Sequence, residues 1–134
     1  MRGAAGLIAG GAVAPLLAAC EGDPTRNWKF KATIDVSSLS LDGQAIKTAT
    51  PGADGAPMLV VRTARDNFTA LSTTCTHEGC PVNLPVNGVI TCPCHGSQYG
   101  LDGAVRRGPA QFPLTRYLTS YSGAGHRLTV GSAE

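Results

Sequence analysis

At 134 residues the chain can bury one hydrophobic core and is too short for two domains. Seventeen glycines and nine prolines beside only 15% charged residues favour short strands and turns over long helices. The net charge of +2 is scattered, with no patch of basic and aromatic residues, which excludes a nucleic-acid-binding role.

Arg2 precedes an uncharged run from Gly3 to Ala19, rich in Ala, Gly, Leu, Ile and Val. A positive start, a short apolar stretch and small residues before a cut site are the layout of a signal peptide. Five of these 17 residues are Gly or Pro, so the run is marginal for spanning a hydrocarbon layer of about 30 Å. Leu17-Ala18-Ala19-Cys20 resembles the lipobox of bacterial lipoproteins, which are cut before the Cys and lipidated on its thiol. The expected organisation is a signal peptide over 1–19, a lipidated tether over 20–27 and one folded domain over 28–134. The alternative is an uncleaved membrane anchor. Arg2 has no arginine beside it, which leaves the twin-arginine and general export routes both open. The seven residues Glu21 to Asn27 reach at most ~25 Å, so the folded head stays close to the membrane.

From Trp28 to Val36, apolar Trp28, Phe30, Ala32, Ile34 and Val36 alternate with Lys29, Lys31, Thr33 and Asp35. This predicts a strand with one buried face. Residues 37–57 read as loop with one short strand near Ala45–Lys47. Met58–Val61 and Asn67–Leu71 read as strands joined by a turn over Ala64–Asn67. Cys75-Thr76-His77-Glu78-Gly79-Cys80-Pro81 is a loop. Asn87-Gly88 is a tight-hairpin signal, followed by the strand Val89–Thr91. A second loop, Cys92-Pro93-Cys94-His95-Gly96-Ser97, comes next, then a turn at Leu101–Ala104. Leu114–Tyr121 and His126–Val130 close the fold around Ser122–Gly125. The predicted class is all-β, with eight to ten short strands.

The chemistry lies in the two loops. Thiolate and neutral imidazole are both good ligands for iron or zinc. Cys75-x-His77 and Cys92-x-x-His95 are separated by 14 residues, and the Asn87-Gly88 hairpin can bring them together. Two thiolates and two imidazoles then meet. A structural zinc site would accept this set, but it would leave Cys80 and Cys94 without a role, and Cys-x-His is an unusual opening for one. A 2Fe–2S cluster with two Cys on one iron and two His on the other uses the set directly.

With CTHEGC at 75–80 and CPCHGS at 92–97, the chain resembles the Rieske iron–sulfur proteins. The resemblance covers roughly residues 58–117 and is strongest over 75–110. GPAQFPLTRY at 108–117 resembles the family's proline-containing loop and the strand after it. It implies an antiparallel β-sandwich or barrel with both cluster-binding loops at one tip. It implies one 2Fe–2S cluster, with Cys75 and Cys92 on the buried iron and His77 and His95 on the outer, solvent-facing iron. It also implies a disulfide between Cys80 and Cys94, a bond that belongs outside the cytoplasm and agrees with export. Cys20 then remains for lipid. Ser97 and Tyr99 match positions whose hydroxyls donate to a bridging sulfide and a ligand sulfur in high-potential members, which stabilises the electron-rich state. His126 lies outside both motifs and reads as a surface histidine.

The resemblance implies single-electron transfer as a component of an oxidoreductase rather than catalysis by the chain alone. The first reading is a carrier on the outer face of the bacterial cytoplasmic membrane, or the small subunit of an oxidoreductase such as a molybdopterin enzyme. The alternative is the iron–sulfur subunit of a cytochrome bc-type quinol–cytochrome c reductase, working between a cytochrome b complex and a c-type cytochrome. Glu78 favours the first, because the quinol-oxidising subunits commonly carry an apolar residue after the first histidine. An anionic side chain fits poorly against an apolar pocket.

Overall fold

The computed structural model describes Thr25 and residues 27–132. The expected signal segment 1–19, Cys20 and most of the tether lie outside these residues. Nine strands follow in order: β1 Phe30–Asp35, β2 Ala45–Pro51, β3 Pro57–Ala64, β4 Asn67–Ser72, β5 Ile90–Thr91, β6 Gln98–Tyr99, β7 Val105–Arg107, β8 Arg116–Ser122 and β9 Arg127–Ser132. Among the described residues no helix is long and apolar enough to cross a membrane. Six strands pair antiparallel in the order β1-β9-β8-β4-β3-β2, and β5-β6-β7 form a small antiparallel sheet. The result is a nearly closed all-β sandwich: the strand pattern predicts the all-β class, and the resemblance implies the sandwich.

The pattern of side chains explains the layers. On β1, Ala32 and Ile34 face inward and Lys31, Thr33 and Asp35 face solvent. β3 is different: Met58, Leu59, Val60 and Val61 are all fully buried. Successive strand residues point to opposite faces, so this run must be covered on both sides. Met58 and Val60 join a first core with Ile34, Phe68, Tyr117, Leu128 and Val130. Leu59 and Val61 join a second core with Leu71, Val82, Ile90, Leu114 and the side chains of Cys75, Cys92 and Tyr99. β4 divides in the same way, with Phe68 and Ala70 in the first core and Leu71 in the second. The central pair of strands therefore carries a structural core on one face and the cysteine loops on the other.

Asn87 and Gly88 adopt φ of 49° and 78°, the left-handed pair of a two-residue hairpin, between the bridged residues Val86 and Val89. Three elements depart from the pattern expected from sequence. β2 runs on to Pro51, beyond Lys47, because its inward residue is a polar one, Thr48. The Thr48 hydroxyl accepts from Met58 N at 3.0 Å and donates to Thr50 O at 2.6 Å. β6 and β7 span two and three residues, too short to show any alternation.

Asp54, in the turn between β2 and β3, fastens this turn to the entrance of the first cysteine loop. Its carboxylate accepts from Ser72 Oγ, from Thr74 Oγ1 at 3.3 Å, from Tyr117 Oη at 3.2 Å and from Ala56 N at 3.1 Å. Partial burial raises the Asp54 pKa, but the hydrogen bonds from Ser72, Ala56, Tyr117 and Thr74 outweigh it and hold the group below its ordinary 3.8. Since the folded pKa is the depressed one, the stabilisation is fully present above pH 3.8 and is lost as pH falls through the folded value. Asp54→Ala is expected to cost about 1–3 kcal/mol in urea unfolding at neutral pH, because buried Ser72 loses its acceptor. The gap between variant and wild type should close as the pH is lowered through this range.

Candidate metal centre

The two cysteine loops are built alike. In the first, Cys75 N donates to Cys80 O at 2.8 Å and Gly79 N donates to Cys75 O at 2.9 Å. In the second, Cys92 N donates to Ser97 O at 2.8 Å and Gly96 N donates to Cys92 O at 3.1 Å. The fifth residue of each, Gly79 and Gly96, sits at φ of 79° and 80°, where a side chain would be strained. Each six-residue turn thus starts on an inward cysteine, and Cys75 and Cys92 occupy equivalent positions. Thr74 bridges Pro81 at the base of the first loop, and Ile90 and Thr91 of β5 lead into the second.

Cys75 and Cys92 are free thiols, 3% and 1% exposed, packed within the second core. Burial pushes both thiols up. At Cys75, hydrogen bonds from Tyr99 Oη and the His77 backbone outweigh burial and hold it below 9.0; at Cys92 burial prevails. His77 and His95, from the same two loops, are exposed, with ring centroids 4.9 Å apart and ring planes at 90°. Between the loops runs a disulfide from Cys80 to Cys94, with Cα atoms 6.4 Å apart. It ties the end of one loop to the middle of the other.

A third segment covers the site from the side. Ala110 N donates to Ser97 Oγ at 3.0 Å, and Thr76 Oγ1 donates to Phe112 O at 2.6 Å. Pro109, next to these residues, follows a cis peptide bond. Ser97 is fully buried, and accepting from Ala110 leaves its own proton to donate. Tyr99, also fully buried, has its hydroxyl 3.2 Å from Cys75 Sγ and 3.0 Å from Thr76 Oγ1, and accepts from Thr76 N at 3.2 Å. Because Thr76 Oγ1 spends its proton on Phe112 O, the phenol is the donor to Thr76, and it donates to Cys75 when that sulfur is a thiolate. Burial, then the Cys75 contact, raises the Tyr99 pKa and keeps the phenol a donor. Thr76 escapes sequence reasoning because it appears only as the spacer of Cys-x-His. His126 lies away from this tip, with Nδ1 3.3 Å from Tyr121 Oη.

The donors separate into two pairs. A single zinc with four protein ligands needs every donor about 2.0–2.3 Å from one point. Among the described residues the close group of metal-binding side chains is His77, Glu78 and His95, with ligand atoms within 4.8 Å of one another, and neither thiol belongs to it. Two buried sulfurs and two exposed imidazoles, one of each from either loop, suit a two-iron cluster with mixed ligation.

The Rieske [2Fe-2S] domain model matches residues 30–121. The chain belongs to the Rieske iron–sulfur family. It therefore has one Rieske-type 2Fe–2S site and is an electron-transfer component rather than an independent enzyme. This Rieske chain is 35% identical over 113 residues to the chloroplastic cytochrome b6-f complex iron-sulfur subunit of Arabidopsis thaliana, covering 81% of the chain and 49% of that protein. Among solved structures it resembles the plasma membrane Rieske protein of Synechocystis PCC 6803 at 37% identity and a TM-score of 0.56, covering 66% of this chain and 86% of that one. It also resembles a chain of a hyperthermophilic respiratory Complex III at 30% identity and a TM-score of 0.58, covering 72% and 71%. The Rieske chain spans about half the length of the curated relatives it matches.

The bridge closes a separation of 14 residues. Replacing both Cys80 and Cys94 by Ala is expected to cost about 3 kcal/mol in chemical denaturation. Alkylation without reductant, followed by mass measurement, checks the bridge itself: label at Cys80 or Cys94 would contradict it.

Proposed function

We propose that this Rieske chain is the iron–sulfur subunit of a cytochrome bc-type quinol–cytochrome c reductase. In this reading Cys75 and Cys92 hold the inner iron of the cluster, and His77 and His95 hold the outer one. The observation that carries it is the relationship over 81% of the chain to the Arabidopsis cytochrome b6-f iron–sulfur subunit. That relationship supports the quinol-reductase alternative over the free-standing carrier favoured by sequence alone. When bound, the cluster accepts and releases one electron, at a potential raised by replacing two thiolates with neutral imidazoles.

The protein residues then have distinct tasks. The exposed rings of His77 and His95 form the contact surface, and His95 would present its outward ring nitrogen to the quinol. Tyr99 Oη donates to Cys75 Sγ, and Ser97 Oγ, oriented by Ala110 N, directs its proton toward the cluster. The Cys80–Cys94 bridge and the turn glycines hold the loops in register while partners dock. Those partners would be a cytochrome b, where quinol is oxidised, and a c-type cytochrome that takes the electron. A signal segment over 1–19 and a lipidated Cys20, with the tether 20–27, would hold the head on the outer face of the membrane.

The carrier reading, including a molybdopterin-type partner, keeps one specific support: the charge of Glu78 beside the exposed rings. Membranes lacking this protein should lose quinol–cytochrome c reductase activity. Full retention of that activity would replace the proposed role with the carrier. The reduced protein should give an electron paramagnetic resonance signal of low average g, the mark of mixed Cys and His ligation. Ser97→Ala and Tyr99→Phe should each lower the midpoint potential. The upper bound is roughly 60–130 mV each, from about 1.5–3 kcal/mol for a hydrogen bond to a charged group and 59 mV per tenfold for one electron. Two unchanged potentials would remove both residues from the tuning role.

A further inference from the structure

Glu78 belongs to the first loop, yet its carboxylate reaches across to the second. Its Oε2 lies 3.7 Å from His95 Nε2, with the two side chains 61% and 47% exposed. The contact has an orientation. With Nε2 turned toward Glu78, Nδ1 is the nitrogen of His95 left for a metal. A histidine that binds a metal through one ring nitrogen carries its proton on the other, and a carboxylate there fixes the tautomer, orients the ring and makes the imidazole a stronger donor.

We propose that Glu78 is the outer partner of His95, and that its charge lowers the reduction potential of the bound cluster. The inference rests on His95 being an iron ligand. Its physical basis is the charge. A negative group beside the ligand favours the oxidised state, which carries one more positive charge, over the reduced one. At 3.7 Å the carboxylate is close to the ring but beyond a formed hydrogen bond. Electrostatics therefore carries the effect. Since both side chains face water, salt screens it. Glu78 thus opposes Tyr99 and Ser97: two buried hydroxyls raise the potential from below and one exposed carboxylate lowers it from above.

The test compares cluster-loaded wild type with Glu78→Gln, Glu78→Leu, Glu78→Asp and Asp66→Asn in redox titrations at one fixed pH. Glu78→Gln keeps the shape of the side chain and removes the charge. Asp66→Asn removes a charge in the β3–β4 turn, at the opposite end of β4 from Cys75. At low salt, Glu78→Gln and Glu78→Leu should favour reduction at least threefold, which is about 28 mV for a one-electron couple. Glu78→Asp should fall nearer to wild type, and Asp66→Asn should match it. In about 1 M salt the difference between wild type and Glu78→Gln should shrink. Potentials of Glu78→Gln and Glu78→Leu that coincide with wild type at low salt overturn the proposal. So does an equal rise in Asp66→Asn, which would reduce the effect to net charge. If every protein shows the low-average-g spectrum and the potentials coincide, only the role of Glu78 falls. If the spectrum is absent from all of them, the ligand assignment falls and takes this role with it.

Discussion

Two cysteine sulfurs are dry while two imidazoles carried by the same two loops stay wet. The rest of the fold follows from that separation. Each sulfur is brought inward by a six-residue turn that closes on its own backbone and reverses at a left-handed glycine. The turns alone would leave the sulfurs at a surface. They become buried because β3 and β4 present a second apolar face, Leu59, Val61 and Leu71, onto which the loops fold. The Cys80–Cys94 bridge and the 108–113 segment then close the remaining sides.

Much of the fold was legible in the sequence because its signals are local. Alternation over Trp28–Val36, the apolar run Met58–Val61 and the Asn87-Gly88 pair each specify an element without help from the rest of the chain. The motif residues Cys75, His77, Cys92 and His95 stand out as two close groups of metal-binding residue types, and the structure places both groups in loops. What escaped notice depends on contacts distant in sequence. Asp54 lies in a Gly- and Ala-rich stretch that reads as loop, and its partners Ser72 and Tyr117 are 18 and 63 residues away. Thr76 was hidden inside a motif, and its importance appears only when Phe112 O and Tyr99 Oη converge on it. The strands β6 and β7 carry no periodicity of their own and exist because β6 pairs with β5 and β7 pairs with β6.

Glu78 shows a different relation between sequence and structure. From sequence it is a departure from an apolar position, and it argues against one class of partner. In the folded chain it gains a specific neighbour, His95, from the other loop. The same side chain therefore bears on which surfaces can approach the tip and on the electronic setting of the ring they would touch. A partner that binds at His95 must share or displace a carboxylate already there.

The second core has one more consequence. Val82, Ile90, Leu114 and Tyr99 are packing residues, yet they share a single cluster with Cys75 and Cys92. A methyl group gained or lost in this half of the molecule shifts the surroundings of the sulfurs. Residues of the first core, such as Ile34, Phe68 and Val130, have no such duty. In a lineage adapting to heat or cold, stabilising substitutions should therefore accumulate on the β1 and β9 side of the sheet. The face toward the cysteines would change slowly, its composition held by the packing of the sulfurs as well as by folding.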